Sequence, residues 1–169
     1  MNANESTKIN ILPVPTWNHL NINDVDYVGA SSAEEIFEGI KKINIEPSGS
    51  NPVIYDFDED FDGAQITINA KEDADIIFRF LKSDKDTKVK IKSKINDGTK
   101  LSISIVKLSD NERFYVTSDA VVNKDASLSL TTVSLGNKAT YLEGKADLTG
   151  DASSFDTYTS YILEKDEFL

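Results

Sequence analysis

Glu72-Asp73-Ala74, Asp97-Gly98-Thr99, Lys124-Asp125-Ala126 and Gly150-Asp151-Ala152 stand 25, 27 and 26 residues apart within residues 66–163. A second series keeps the same period: Leu81-Lys82-Ser83-Asp84, Leu108-Ser109-Asp110-Asn111 and Leu135-Gly136-Asn137-Lys138. Each member joins an apolar residue to residues that accept tight or left-handed backbone. Two turn series in phase divide every repeat into two strand segments.

Those segments alternate as half-buried strands do. Ahead of the first turn series the inward candidates are Ile66, Ile68 and Ala70, then Ile91, Ser93 and Ile95, then Ser118, Ala120 and Val122, then Gly144, Ala146 and Leu148. Behind it come Ile76, Phe78 and Phe80, then Leu101, Ile103 and Ile105, then Leu128, Leu130 and Thr132. Apolar sites kept in register over such a period predict a solenoid, because one coil cannot cover its own apolar face and a stack of coils buries a continuous core. An antiparallel meander or sandwich is the alternative, since both turn families can close hairpins. The fourth unit departs from strict alternation at Phe155, Tyr158 and Tyr161, as terminal coils do.

Residues 1–52 read as a flank and residues 53–169 as the β-helix core. Pro13 and Pro15 force extended backbone on residues 11–23, an arm with Trp17, Leu20 and Ile22 as anchors. His19 is the one histidine and no cysteine occurs, which argues against a zinc site or a His-based triad and favours a structural reading of His19. Residues 32–43 predict a helix: Ser32 and Glu35 form a capping box, Ala33, Ile36, Phe37 and Ile40 share a stripe, and Lys41 and Lys42 suit its last turn. Glu46-Pro47-Ser48-Gly49-Ser50-Asn51-Pro52 is a linker, with entry to the repeats near Val53.

The chain has 169 residues, enough for one core, and a formal charge of -11 from 29 acidic and 18 basic residues. Such a charge disfavours nucleic acid and anionic membranes. Lys88, Lys90, Lys92 and Lys94 fall on one strand face and read as its solvated side, guarding the sheet against edge pairing. No signal-like or membrane-spanning run occurs, and the absence of cysteine fits a reducing cytoplasm. Asp58-Glu59-Asp60-Phe61-Asp62-Gly63 spells the opening half of a calcium loop. Its second half is missing, because Asn69 stands where a bidentate Glu is needed and Ile66 and Ile68 belong to a strand. No catalytic, cofactor-binding or metal residue is assigned, and calcium at Asp58, Asp60 and Asp62 stays open.

Residues 12–23, Leu-Pro-Val-Pro-Thr-Trp-Asn-His-Leu-Asn-Ile-Asn, resemble the Pro-Thr-Trp arm of short bacterial members of the SufB/SufD family. These are the paralogous scaffold subunits of the SUF iron-sulfur cluster assembly system. Ala126-Ser-Leu-Ser-Leu-Thr-Thr-Val-Ser-Leu-Gly136, followed by Leu142-Glu-Gly-Lys-Ala-Asp-Leu-Thr-Gly-Asp-Ala152, is similar to the family's consecutive core coils. The resemblance implies an all-β, right-handed parallel β-helix (β-solenoid) with a small N-terminal helical and extended segment. It also implies a non-catalytic, SufD-like scaffold that pairs with a SufB/SufD-type paralogue and a SufC-type ABC ATPase, the iron-sulfur cluster belonging to the assembled complex. Without cysteine the ligand of a SufB-type subunit has no counterpart, and the chain stops at Leu169 near the fourth coil, so it reads as truncated. A stack ended there needs a cap or a partner, a second copy of the chain among the candidates.

Two other classes compete. Asp58, Asp60 and Asp62 with Arg79 could serve a β-helix polysaccharide lyase, and an acidic β-rich carbohydrate-binding or adhesion module is the other. Neither is favoured, because no secretion signal occurs and few aromatics are placed to stack on sugars.

Overall fold

The computed structural model describes residues 6–9, 25–28, 36–49, 51–57, 61–81, 85–108, 113–135 and 139–162. The arm at residues 11–23, with Trp17 and His19, and the carboxylates Asp58 and Asp60 lie outside the described residues. The chain divides into two compact units, Met1–Ile40 and Lys41–Leu169.

In the first unit β1 (Ser6–Ile9) pairs antiparallel with β2 (Val25–Val28), Ser6 opposite Val28 and Ile9 opposite Val25. The helix expected over residues 32–43 does not reach its bound. Ile36 is helical, Gly39 takes φ 73°, and Lys41 already belongs to a strand; residues 32–35 lie outside the described residues. Glycine in the left-handed region ends a helix by satisfying its last carbonyls. The apolar stripe was read through that stop, whereas Ile43 and Ile45 follow a period of two.

The second unit is the predicted solenoid. Its strands are β3 (Lys41–Ile45), β4 (Val53–Phe57), β5 (Gly63–Ala70), β6 (Ala74–Phe80), β7 (Thr87–Ile95), β8 (Lys100–Leu108), β9 (Arg113–Val122), β10 (Ser127–Leu135), β11 (Ala139–Leu148) and β12 (Ser154–Ile162). Odd-numbered strands form one five-stranded sheet in the order β11-β9-β7-β5-β3, and even-numbered strands the other, β12-β10-β8-β6-β4. Every ladder in both sheets is parallel. Successive strands therefore alternate between sheets and pair one coil onward, which removes the hairpin alternative.

The stacks run as the repeat predicts in the odd sheet. Ile66 lies over Ile91, Ile91 over Ser118 and Ser118 over Gly144; Ala70 lies over Ile95, Ile95 over Val122 and Val122 over Leu148. In the even sheet one junction differs. Ala74, not Ile76, lies over Leu101, so Ile76 meets Ile103 and Phe80 meets Lys107. Between the stacked positions five residues separate Ile95 from Leu101 where three separate Ala70 from Ala74, and the Lys100 N–H is donated to the Asp73 carboxylate at 2.8 Å. A shift of two keeps every side chain on its face. Ile66, Ile68, Ile76, Phe78, Phe80, Ile91, Ile103 and Ile105 accordingly fill one core between the sheets, each at 1 % exposure or less.

Candidate functional site

Where the second turn series joins the sheets, the interior becomes polar. Lys107 follows Ile105 at the next inward position of β8, between Phe80 and Ser134 in register, and is 1 % exposed. Its ammonium donates to the Leu81 carbonyl at 3.4 Å and to the Thr87 hydroxyl at 3.3 Å. Burial lowers its pKa to about 8. One coil further on, the Ser134 and Thr140 hydroxyls, both buried, are 2.8 Å apart.

Beside this cluster Asp86 and Arg113 stack one coil apart. The Arg113 backbone N–H donates to Asp86 Oδ1 at 3.1 Å, its Nε to Oδ2 at 2.8 Å, and its terminal nitrogen also reaches Oδ2. Tyr115 and Tyr141, buried on consecutive odd-sheet strands, meet edge to face at 6.1 Å. Burial pushes the Tyr141 phenol above its ordinary value, while the Arg113 charge opposes and the Asp86 charge reinforces that rise.

Arg79, a candidate base for lyase chemistry, points out of β6 and forks onto Asp56 of β4 with two bonds of 2.6 Å. That hydrogen bond holds the Asp56 carboxyl below its usual value. The arrangement is a cross-strand ion pair at a surface, worth little to stability. Among the described residues no group of three or more His, Cys, Asp or Glu is placed to hold a metal. Of the calcium-loop carboxylates only Asp62 is described, and its backbone carbonyl accepts from the Lys88 N–H.

The last described coil is the other distinctive surface. Leu148 continues the Ile95–Val122 stack yet is 52 % exposed, and Tyr161, over Ser134, is 48 % exposed. A shallow cavity of about 180 Å³ opens there between Val116, Leu130, Leu142, Gly144, Thr157 and Thr159. Inward-facing side chains of one coil thus lie open where inner coils bury theirs. Sequence reasoning named Leu148 and Tyr161 but missed Lys107 and the Asp86–Arg113 pair. The signals were present: Lys107 has the parity of Leu101, Ile103 and Ile105, and Asp86 precedes Arg113 by 27 residues, one coil.

The family model described as SUF system FeS cluster assembly, SufBD core domain, matches residues 56–169. The chain belongs to this family. No curated protein and no solved structure matches. The SufBD core match begins inside β4 and spans β5 to β12, so the coils described above are its body. Iron-sulfur clusters are ordinarily held by cysteine thiolates. This SufBD core contains none, so it offers no thiolate to a cluster.

Proposed function

We propose that this SufBD core acts as a non-catalytic, SufD-like scaffold in SUF-type iron-sulfur cluster assembly, pairing with a SufB/SufD-type paralogue and with a SufC-type ABC ATPase. The family match over residues 56–169 supports the reading most directly. The cluster is cargo of the assembled complex, and its ligands come from the paralogue, because this chain supplies no cysteine. The exposed inward-facing Leu148 and Tyr161 of the last described coil belong to the end that the paralogue, or a second copy of this chain, covers. No described helix is long and apolar enough to cross a membrane, and we place the complex in the cytoplasm.

Co-expression with a SufC-type ATPase and a longer SufB-type paralogue tests the proposal. A complex containing all three that survives gel filtration is the expected result. Recovery of this chain alone, with the other two associating without it, removes the scaffold reading.

A further inference from the structure

The two outer faces of the solenoid differ in charge. On the odd sheet, Lys92 and Lys94 of β7, an inner strand and not an edge, stand beside Asp119 of β9 and Asp147 of β11. On the even sheet, Val106 lies over Val133 and Leu108 over Leu135, with Ser104 over Thr131 and Ser102 over Ser129 in the neighbouring rows. These outward positions of β8 and β10 carry no charge, in a chain where 28 % of residues do. Where charge does enter the same rows, Arg79 of β6 and Asp56 of β4 neutralise each other.

The even face has an apolar end and an acidic end. Leu108 and Leu135 continue into Ile162 of β12, and Leu81 follows Phe80, the partner of Lys107, so it stands opposite Leu108. Leu81, Leu108 and Ile162 are 43 %, 44 % and 65 % exposed. The leucines that open the second turn series therefore point away from the core and form a row along the stack. At the other end Asp75 lies over Ser102 and Ser129 over Asp156. A shallow cavity of about 420 Å³ opens there, between Asp73, Asp75, Lys100, Ser102, Ser127 and Ser129. Three carboxylates, Asp73, Asp75 and Asp156, against the one ammonium of Lys100 leave this end acidic.

An exposed apolar row with a polar border marks a contact surface. The acidic end decides what covers it. Two copies of the chain meeting here around a twofold axis along the strands set Asp75 and Asp156 against their own counterparts, and an axis along the stack sets them against the leucine row. Either arrangement buries carboxylates with no cation facing them. A partner with Lys or Arg on one flank of an apolar stripe satisfies both ends at once. An α-helix laid along the stack presents such a stripe, because its turns repeat every ~5.4 Å against ~4.8 Å between coils. Successive turns thus step from one leucine to the next.

We propose that the outer face of the even sheet docks an amphipathic helix of a partner protein, its apolar stripe on Val106, Val133 and the leucine row and its Lys or Arg flank toward Asp75 and Asp156. This surface is separate from the inward-facing Leu148 and Tyr161 at the end of the stack, and the proposal does not rest on the SUF assignment.

The test is fluorescence anisotropy of the full chain with a labelled peptide of about 18 residues, leucines at helical i, i+3, i+4 and i+7 spacing and lysines along one flank, beside a scrambled peptide of the same composition. The amphipathic peptide is expected to bind and to gain helical circular dichroism, with the scrambled one at least about tenfold weaker. Leu108→Ser with Leu135→Ser should weaken binding by about tenfold. Val106→Thr with Val133→Thr keeps the branched shape that suits a strand, and should weaken it too if the serine pair fails to fold. Asp75→Asn with Asp156→Asn should weaken it and flatten its dependence on salt between about 50 and 200 mM. Val121→Ser, on the odd sheet, should leave it unchanged. Equal binding of the scrambled peptide, or wild-type affinity in a folded leucine or valine pair, overturns the proposal. So does sedimentation of the wild type as a dimer that the leucine pair splits, which assigns the face to a second copy.

Discussion

Lys107 is the residue at which pattern and chemistry conflict most openly. Alternation carries it into the core after Ile105, yet its ammonium finds one carbonyl and one hydroxyl there, each beyond 3.2 Å. Its folded pKa of about 8 lies below the ordinary 10.5, so the folded state disfavours the charged form. Between those values the unfolded chain binds more protons than the folded one, so stability rises with pH from about 8 towards 10.5 and the full penalty is present below 8. A shift of that size corresponds to about 3 kcal/mol. Lys107→Met removes the penalty but takes one hydrogen bond each from the Leu81 carbonyl and from the Thr87 hydroxyl, which still donates to the Lys85 carbonyl at 3.5 Å, so a net stabilisation of about 1–2 kcal/mol at pH 7 is expected. Urea unfolding at pH 7, 8 and 9 checks both parts. The wild type should gain stability across the series and the variant should not. Staying below pH 10 keeps the Tyr141 phenol, raised by burial, protonated in both states.

At the scale of the element, the turns carry the constraint that strands do not. Gly98 and Asp125 occupy equivalent turn positions at φ 68° and 55°, a conformation open to glycine and tolerated by Asp. The β11–β12 turn has one residue more and places Ala152 at φ 56°, where a Cβ is strained. Ala152→Gly should therefore stabilise by about 1 kcal/mol, read as a shift in the urea midpoint. Two residues earlier the requirement reverses. A Cβ on Gly150 would lie 2.4 Å from the Lys124 Cα of the preceding turn, which is backbone and cannot step aside. Gly150→Ala should cost about 1–3 kcal/mol and lower amide protection in β11 and β12 while leaving β5 to β8 protected. The repeat of apolar residues made the strands and their parallel stacking legible, and the odd-sheet register followed residue for residue. The even-sheet slip was not legible, because a two-residue insertion in a turn changes no residue's face and leaves no mark in the hydrophobic pattern. The helix stop at Gly39 was legible but was outweighed by a stripe that continued through it. Acidic residues spaced like a calcium loop drew attention to residues 58–62, while the polar corner at Lys107, Asp86 and Arg113 shows itself only once the coil period is applied to charges.

At the scale of the whole molecule, a stack of coils makes each residue's energetic weight depend on what lies above and below it. Ile95 and Leu148 belong to one stack, joined through Val122, yet Ile95 is fully buried and Leu148 is 52 % exposed. Ile95→Ala removes a core side chain enclosed on both sides and should cost about 2–5 kcal/mol in the isolated chain. Leu148→Ala deletes atoms that water already reaches, so below about 1 kcal/mol is expected there. In the proposed scaffold complex the comparison changes. If a partner covers the last described coil, Leu148 becomes as enclosed as Ile95, and its truncation should weaken assembly by tenfold or more while leaving the isolated chain's unfolding curve nearly in place. Chemical denaturation of the isolated chain and titration calorimetry of the complex separate the two effects. A Leu148→Ala variant that assembles as tightly as wild type would place the partner on another face. The side chains left open along this stack would then belong to solvent.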